Sequence, residues 1–365
     1  MLTTPSGRPR ARAIGIAFEG EPGPLNAITD VAGLEVGYRT LIRGAGKRVV
    51  GEGPVRTGVT ALFPRGREAA TTPVFAGVFS LNGNGELTGS HWVAEVGRCE
   101  GPITLTNTHS VGVAHDAAIK WMVRRFGMAG QWSLPVAGET YDGWLNDING
   151  FHVTEADVLA ALDAAAPGPI EEGSVGGGTG MICYGFKGGS GTASRRVAFA
   201  GETYVVGAFV QANFGAREQL TVAGVPVGRA LKDWTPDGRG GPEAGSVIAI
   251  VATDAPLLPH QLTRLARRVS LGIGRGGAIS GHGSGDIFLA VSTANAEALA
   301  TGDEALRTAA FVPEEELNPL FAAVIQSVDE SVLNALVANE TMTGADDHVI
   351  PALPHAEVRR LLGIG

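Results

Sequence analysis

Glycine constrains this chain more than any other residue: 54 of its 365 positions are Gly, roughly twice the usual share. The glycines are dispersed among apolar runs rather than pooled in a low-complexity linker. Without a Cβ, a glycine marks a tight turn or a point where two backbones come close. An active site built from backbone amides needs both. With 44% hydrophobic residues, the chain is long enough to bury a large core, and a big layered fold can hold this length as one unit.

The apolar runs are short and bounded by Gly or Pro. Residues 58–64, 72–82, 101–108, 203–212, 221–227, 246–253 (SVIAIVAT) and 285–294 read as buried strands. Helices are predicted over 110–126, with Ser110 as N-cap, and over 154–166, with Thr154 and Asp157 at its start. Two more are predicted over 259–270 and 314–339. A glycine-rich region spans 173–191. Residues 234–245 (WTPDGRGGPEAG) read as an exposed linker. The mixture suggests sheets covered by helices, and its order is not the regular alternation of a doubly wound fold.

Net charge is −9 and the isoelectric point is near 5.4, which disfavours nucleic acid as a partner. Arg8, Arg10 and Arg12 read as a solvated basic end. Cys99 and Cys183 form no CxxC pair, so buried free thiols in a reducing compartment are expected. Pro5, Gly7 and Pro9 interrupt any apolar leader, and no uninterrupted run of 18 apolar residues occurs. A soluble, cytoplasmic protein without membrane partners is the expectation. Gly272 to Gly277 matches G-x-G-x-x-G but follows a helix rather than a strand. His109 and His115 are poorly spaced for joint metal ligation, and Asp346-Asp347-His348 reads as an exposed turn. No P-loop, H-E-x-x-H or G-x-S-x-G is present.

One dipeptide carries chemistry. Gly245-Ser246 ends the linker and opens a buried strand. Glycine there permits strained backbone angles and leaves its carbonyl open to attack. The serine hydroxyl can attack that carbonyl, and water can then release a new N-terminal serine. Its α-amine, with an unperturbed pKa of about 7.7–8.0, can act as base for its own hydroxyl. On composition alone, Gly-Ser before a strand is also an ordinary turn.

The run GSVIAIVATDAPLLPHQL (245–262), followed by GHGSGDIFLAVSTAN (281–295), resembles the DmpA family of self-processing aminopeptidases. That family includes L-aminopeptidase/D-amidase-esterases and β-peptidyl aminopeptidases. NAITDVAGLEVGY (26–38), GVTALFPRG (58–66), NGNGELTGSHWVAE (82–95), TNTHSVG (106–112), GETYDGWLNDING (138–150), GSVGGGTGM (173–181) and VQANFG (210–215) match in family order. The resemblance implies a four-layer α/β/β/α sandwich, like N-terminal-nucleophile hydrolases in layering but differently connected. It implies one peptidase domain, 1–365, processed into 1–245 and 246–365 and assembled as a homotetramer. No metal and no cofactor is implied.

Carried over position by position, the resemblance makes Ser246 the nucleophile and Gly245 the residue before the cut. Ser284 is expected to hydrogen-bond the Ser246 hydroxyl or amine, with Asp286 orienting it; relatives can carry the longer Glu there. Asn213 matches the amide of the oxyanion hole. Glu139 and Tyr141 match residues lining the pocket, where a carboxylate would pair with the free ammonium of a peptide, amide or ester substrate. Without the resemblance, Asn213 reads as a strand-end turn, Glu139 as a surface turn acid and Asp286 as a strand-start residue. An unprocessed binding protein on the same scaffold is the rival from another class. Self-processing ornithine acetyltransferases share a related fold but use threonine.

Overall fold

The computed structural model describes residues 1–199, 201–234, 245–300 and 305–364. Most of the linker expected at 234–245 lies outside the described residues. Among the described residues, nine strands of five residues or more build two sheets: β1 (Glu35–Arg43), β2 (Val55–Phe63), β3 (Val74–Gly83), β4 (Ile103–Asn107), β5 (Val136–Thr140), β6 (Gly189–Phe199), β7 (Glu202–Asn213), β8 (Ser246–Thr253) and β9 (Gly285–Ser292). The first sheet has the order β1-β2-β4-β5. The second runs from the short strand Arg98–Cys99 through β3, β9, β8 and β7 to β6. β8 and β9 are parallel neighbours; β7 pairs antiparallel with β8.

The sheets pack face to face. Leu62, Leu105 and Val136 of the first meet Phe209, Ile248, Ile250 and Leu289 of the second in one apolar cluster. Helices cover the outer faces. α1 (Val111–Phe126) and α2 (Glu155–Asp163) lie on the first sheet, and α3 (Pro259–Arg275) and α4 (Asn318–Val337) on the second. The result is an α/β/β/α sandwich. Every residue of β2, β8 and β9 is buried, as a strand covered on both faces must be.

Glycines mark where helix and sheet touch. A Cβ on Gly77 of β3 would fall inside contact distance of the Thr263 backbone in α3, and one on Gly191 of β6 inside that of the Ser331 carbonyl in α4. α4 belongs to a segment, Glu314–Val337, whose length and mean hydropathy of 1.4 would suit a membrane. It is 78% buried within the fold and acts as a core element.

Several local expectations are corrected. Residues 221–227 form a turn closed by a Val222–Val225 bridge, not a strand. The cap before α1 is Asn107, whose Oδ1 accepts the Ser110 N–H at 3.0 Å; Ser110 makes no side-chain cap bond. Thr154 and Asp157 do form a capping box, but α2 ends at Asp163. The basic end is not solvated. Arg10 is 3% exposed and its Nε is 2.6 Å from Glu172 Oε2, while Arg12 Nε is 2.6 Å from Glu330 Oε1. Their acids lie far along the chain, so local sequence reads the arginines as free. Both cysteines are buried and unbridged, and burial pushes the Cys99 thiol up to about 12.

Candidate active site

Ser246 is the first residue of β8 and is 3% exposed. The register sets it opposite Asn213, the last residue of β7, and beside Gly285, the first of β9. Two donors converge on its hydroxyl. The Tyr141 backbone N–H reaches Ser246 Oγ at 3.3 Å and the Asn213 side-chain amide reaches it at 3.4 Å. Tyr141 directly follows β5, so the site forms where the two sheets meet at one end. No histidine bonds this hydroxyl among the described residues.

The Asn213 amide is fixed at both ends. Its Nδ2 also donates to the Tyr141 carbonyl at 2.9 Å, and its Oδ1 accepts the Ile182 N–H at 2.9 Å. An acceptor held by a backbone donor leaves only the NH₂ end to face Ser246. Ile182 belongs to a hairpin within the glycine-rich region, Ile182–Cys183 against Phe186–Lys187. That region packs behind the site.

The Gly245 carbonyl accepts the Gly285 N–H at 3.1 Å. Gly245 is not in the left-handed region, so backbone strain is not its reason for being glycine. The reason is space: a Cβ would lie 2.5 Å from the Asn213 carbonyl oxygen. Ser284 Oγ donates to Asp286 Oδ1 at 2.7 Å rather than to Ser246, and the Ser280 hydroxyl donates to Asp286 Oδ2. In this continuous chain the Ser246 nitrogen is still an amide.

Glu139 is a strand residue, not a surface turn acid. It lies in β5, is 3% exposed, and accepts the Glu86 N–H at 2.9 Å and the Thr108 hydroxyl. Burial raises its carboxyl above the usual range, and these two bonds oppose the rise. Tyr141 exposes its ring, so its backbone rather than its phenol addresses the nucleophile. Glu139, Tyr141, Glu86, Thr108 and Asn84 line a cleft of about 570 Å³ that reaches Gly245 and Ser246.

The residue after Tyr141 was not singled out in the sequence. Asp142 is buried, its Oδ1 accepts from Asn146 Nδ2 at 3.0 Å, and the polar side chains of Thr57 and Asn107 lie against its carboxyl. Burial pushes its carboxyl up to about 7. Its place in GETYDG was the available signal. The Ile182 and Tyr141 N–H groups had none, because every residue but proline carries one.

Comparison with known proteins decides the family. The model of "Peptidase family S58" matches residues 26–350. The chain belongs to peptidase family S58. A β-peptidyl aminopeptidase of Sphingosinicella microcystinivorans, BapA, is 51% identical over 97% of this chain and 92% of its own length. Its namesake from Sphingosinicella xenopeptidilytica is 47% identical over 97% and 91%. Among solved structures, the L-aminopeptidase D-Ala-esterase/amidase of Ochrobactrum anthropi superposes with a TM-score of 0.92 at 49% identity, covering 98% of each chain. Its fold is described as a variant of the Ntn-hydrolase fold. A Burkholderia sp. β-aminopeptidase gives 0.87 at 45% identity, over 97% and 98%. As an S58 member of this fold, the chain is a hydrolase of the aminopeptidase class.

Proposed function

We propose that this S58 chain cuts its own Gly245–Ser246 bond and that Ser246, now N-terminal, hydrolyses amides, peptides or esters adjacent to a free amine. The products of the cut are 1–245 and 246–365. One observation carries the reading: a serine at a strand head, preceded by glycine, whose hydroxyl receives the Asn213 amide and the Tyr141 N–H together.

In the first reaction Ser246 Oγ bonds to the Gly245 carbonyl carbon. The Gly285 N–H already donates to that carbonyl and stabilises the oxyanion. The C–N bond breaks and the hydroxyl proton ends on the departing amine. Water then hydrolyses the ester. In the second reaction the freed amine takes the Ser246 hydroxyl proton, Oγ attacks the substrate carbonyl, and Asn213 Nδ2 and Tyr141 N–H hold the oxyanion. The leaving group departs with the proton, and water releases the acyl group. The donor distances of 3.3 and 3.4 Å to Oγ leave room for an oxygen on the attacked carbon to take both bonds. Glu139 pairs with the substrate ammonium. Ser284 and Asp286 orient the new amine beside the head of β9. The strands β8 and β9 are wholly buried, so the two products stay associated.

Within this reading a β-peptidyl specificity is the second possibility, supported by the names of both curated relatives. The ratio of rates on β-alanyl and L-alanyl p-nitroanilides separates the two. The buried cysteines, neither of them in a disulfide, support a cytoplasmic setting. The tetramer implied by the resemblance belongs to the same proposal, and light scattering tests it.

The experiment is the intact mass, under denaturing conditions, of wild type and Ser246→Ala. Two wild-type fragments split after Gly245, with one uncut mutant chain, are expected. A wild-type chain that stays whole after long incubation overturns the mechanism and favours the scaffold as a binding protein.

A further inference from the structure

We propose that Lys187 is a positioning residue for the oxyanion amide, acting through a single peptide group on Asn213. The inference rests on the roles of Ser246 and Asn213 given above.

Lys187 is completely buried, yet it has no place in the reaction as described. Its Nζ donates to the Met181 carbonyl at 2.8 Å and to the Gly188 carbonyl at 2.7 Å. Met181 O and the Ile182 N–H are the two ends of one peptide unit, and that N–H donates to Asn213 Oδ1 at 2.9 Å. The Asn213 amide in turn directs its Nδ2 at Ser246 Oγ. The order is therefore Lys187 Nζ, peptide, side-chain amide, nucleophile. Each amide accepts at its oxygen and donates at its nitrogen, so polarisation at one end strengthens the next donor. A cation on the Met181 oxygen makes Ile182 a better donor, and Asn213 a better donor to an oxyanion.

The surroundings hold this order in place. Asn339 Nδ2 donates to the Lys187 carbonyl at 3.1 Å and to the Gly188 carbonyl at 2.9 Å, and the Lys187 N–H donates to the Pro351 carbonyl at 2.8 Å. The Tyr184 N–H donates to the Phe214 carbonyl at 2.8 Å, which ties the hairpin to the residue after Asn213. Cys183 and Arg8 are the titratable or charged groups whose fields act on the amine. Burial lowers its pKa to about 7, so an oxyanion forming at the far end would draw the proton onto it. A lysine that served packing alone would not need its nitrogen on the one peptide whose N–H orients Asn213.

The test is a double-mutant cycle between Lys187→Met and Asn213→Ala, with rates normalised to the processed fraction by mass. The expected result is a fall in kcat on the order of tenfold for Lys187→Met, smaller than the loss of a whole oxyanion donor, with KM unchanged. In the Asn213→Ala background Lys187→Met should change nothing further. Equal losses in both backgrounds overturn the inference. Absence of any Ser246-dependent turnover would instead overturn the proposed function itself. Where Lys187→Met does not fold, wild-type enzyme labelled at lysine Nζ answers the same question. The chain has four lysines, Lys47, Lys120, Lys187 and Lys232, and Lys187 is the buried one. Adding 1-aminoethylboronic acid, which forms a tetrahedral anion on the nucleophile, should move the Lys187 resonance. A resonance that stays put while the adduct forms refutes the relay.

Discussion

Asp142→Asn should make the fold more stable above neutrality and leave it unchanged in acid. Burial holds the Asp142 carboxyl at about 7, against an ordinary 3.8. The folded chain therefore binds a proton that the unfolded chain has lost between those two values. Stability must fall as pH rises through that window and level off above it. A rise of this size corresponds to about 4 kcal/mol between the two plateaus, at 1.36 kcal/mol per unit. Asn copies the neutral acid and still accepts from Asn146 through Oδ1. The two unfolding curves should coincide near the acid end of the window and diverge to about 4 kcal/mol at pH 8. The assay is urea unfolding in the Ser246→Ala background, where one chain unfolds, read as the difference between variants at each pH. The difference matters because Lys187, pushed down to about 7, has the opposite sign: the unfolded chain binds more protons above 7, so stability rises there. A difference independent of pH from 5 to 8 would mean that Asp142 is already ionised in the folded chain, and the reasoning would fail.

Glu139→Gln should cut kcat/KM for a free-amine substrate by roughly 10- to 100-fold, the value of one charge-assisted bond. It should hardly alter the low rate on an N-acetylated analogue; comparing L-alanyl and N-acetyl-L-alanyl p-nitroanilides checks this. Asn213→Ala should lower kcat by about 10²–10³ with little change in KM, measured on enzyme whose processing has been verified by mass. Gly285→Ala should block self-cleavage while leaving a folded chain, because the new Cβ would press on the Asn84 carbonyl and shift the N–H that holds the Gly245 carbonyl; denaturing mass and circular dichroism together read both halves.

What the sequence reveals depends on whether a residue's partner is local. SVIAIVAT is legible as a buried strand because both its faces are covered and all its residues are apolar or small. β6, with the sequence GSGTASRRVAF, is not. Its buried Ser194 and Arg195 are satisfied by Asp30 and Glu330, each far away in the chain, so no hydrophobic period marks it. The edge strand β1 hides for another reason, its exposed charges breaking the apolar run. Around the site, Ser246, Asn213 and Glu139 could be named because their side chains fit a family pattern. Tyr141 was named as a pocket-lining residue, and it lines the cleft; its backbone N–H, which also faces the nucleophile, carries no sequence signal.

That last point links the composition to the chemistry. Among the described residues, four backbone N–H groups point at the reacting machinery: Tyr141 at Ser246 Oγ, Gly285 at the Gly245 carbonyl, Glu86 at Glu139 and Ile182 at Asn213. They come from a strand end, a strand head, a turn and a hairpin. A backbone donor can be aimed only by moving its whole segment, so the segments must approach closely. Glycines stand at those approaches. Gly85 leaves 3.2 Å between a hypothetical Cβ and Glu139 Oε1, Gly245 fits against Asn213, and Gly285 fits against Asn84. Donors fixed in this way need no reorganisation as charge develops. A serine with no histidine on its hydroxyl depends on such donors and on its own amine. The glycines at positions 85, 245 and 285 and the chemistry of an N-terminal nucleophile thus belong to one design, a site in which aimed backbone donors complete what the side chains of Ser246, Asn213 and Glu139 begin.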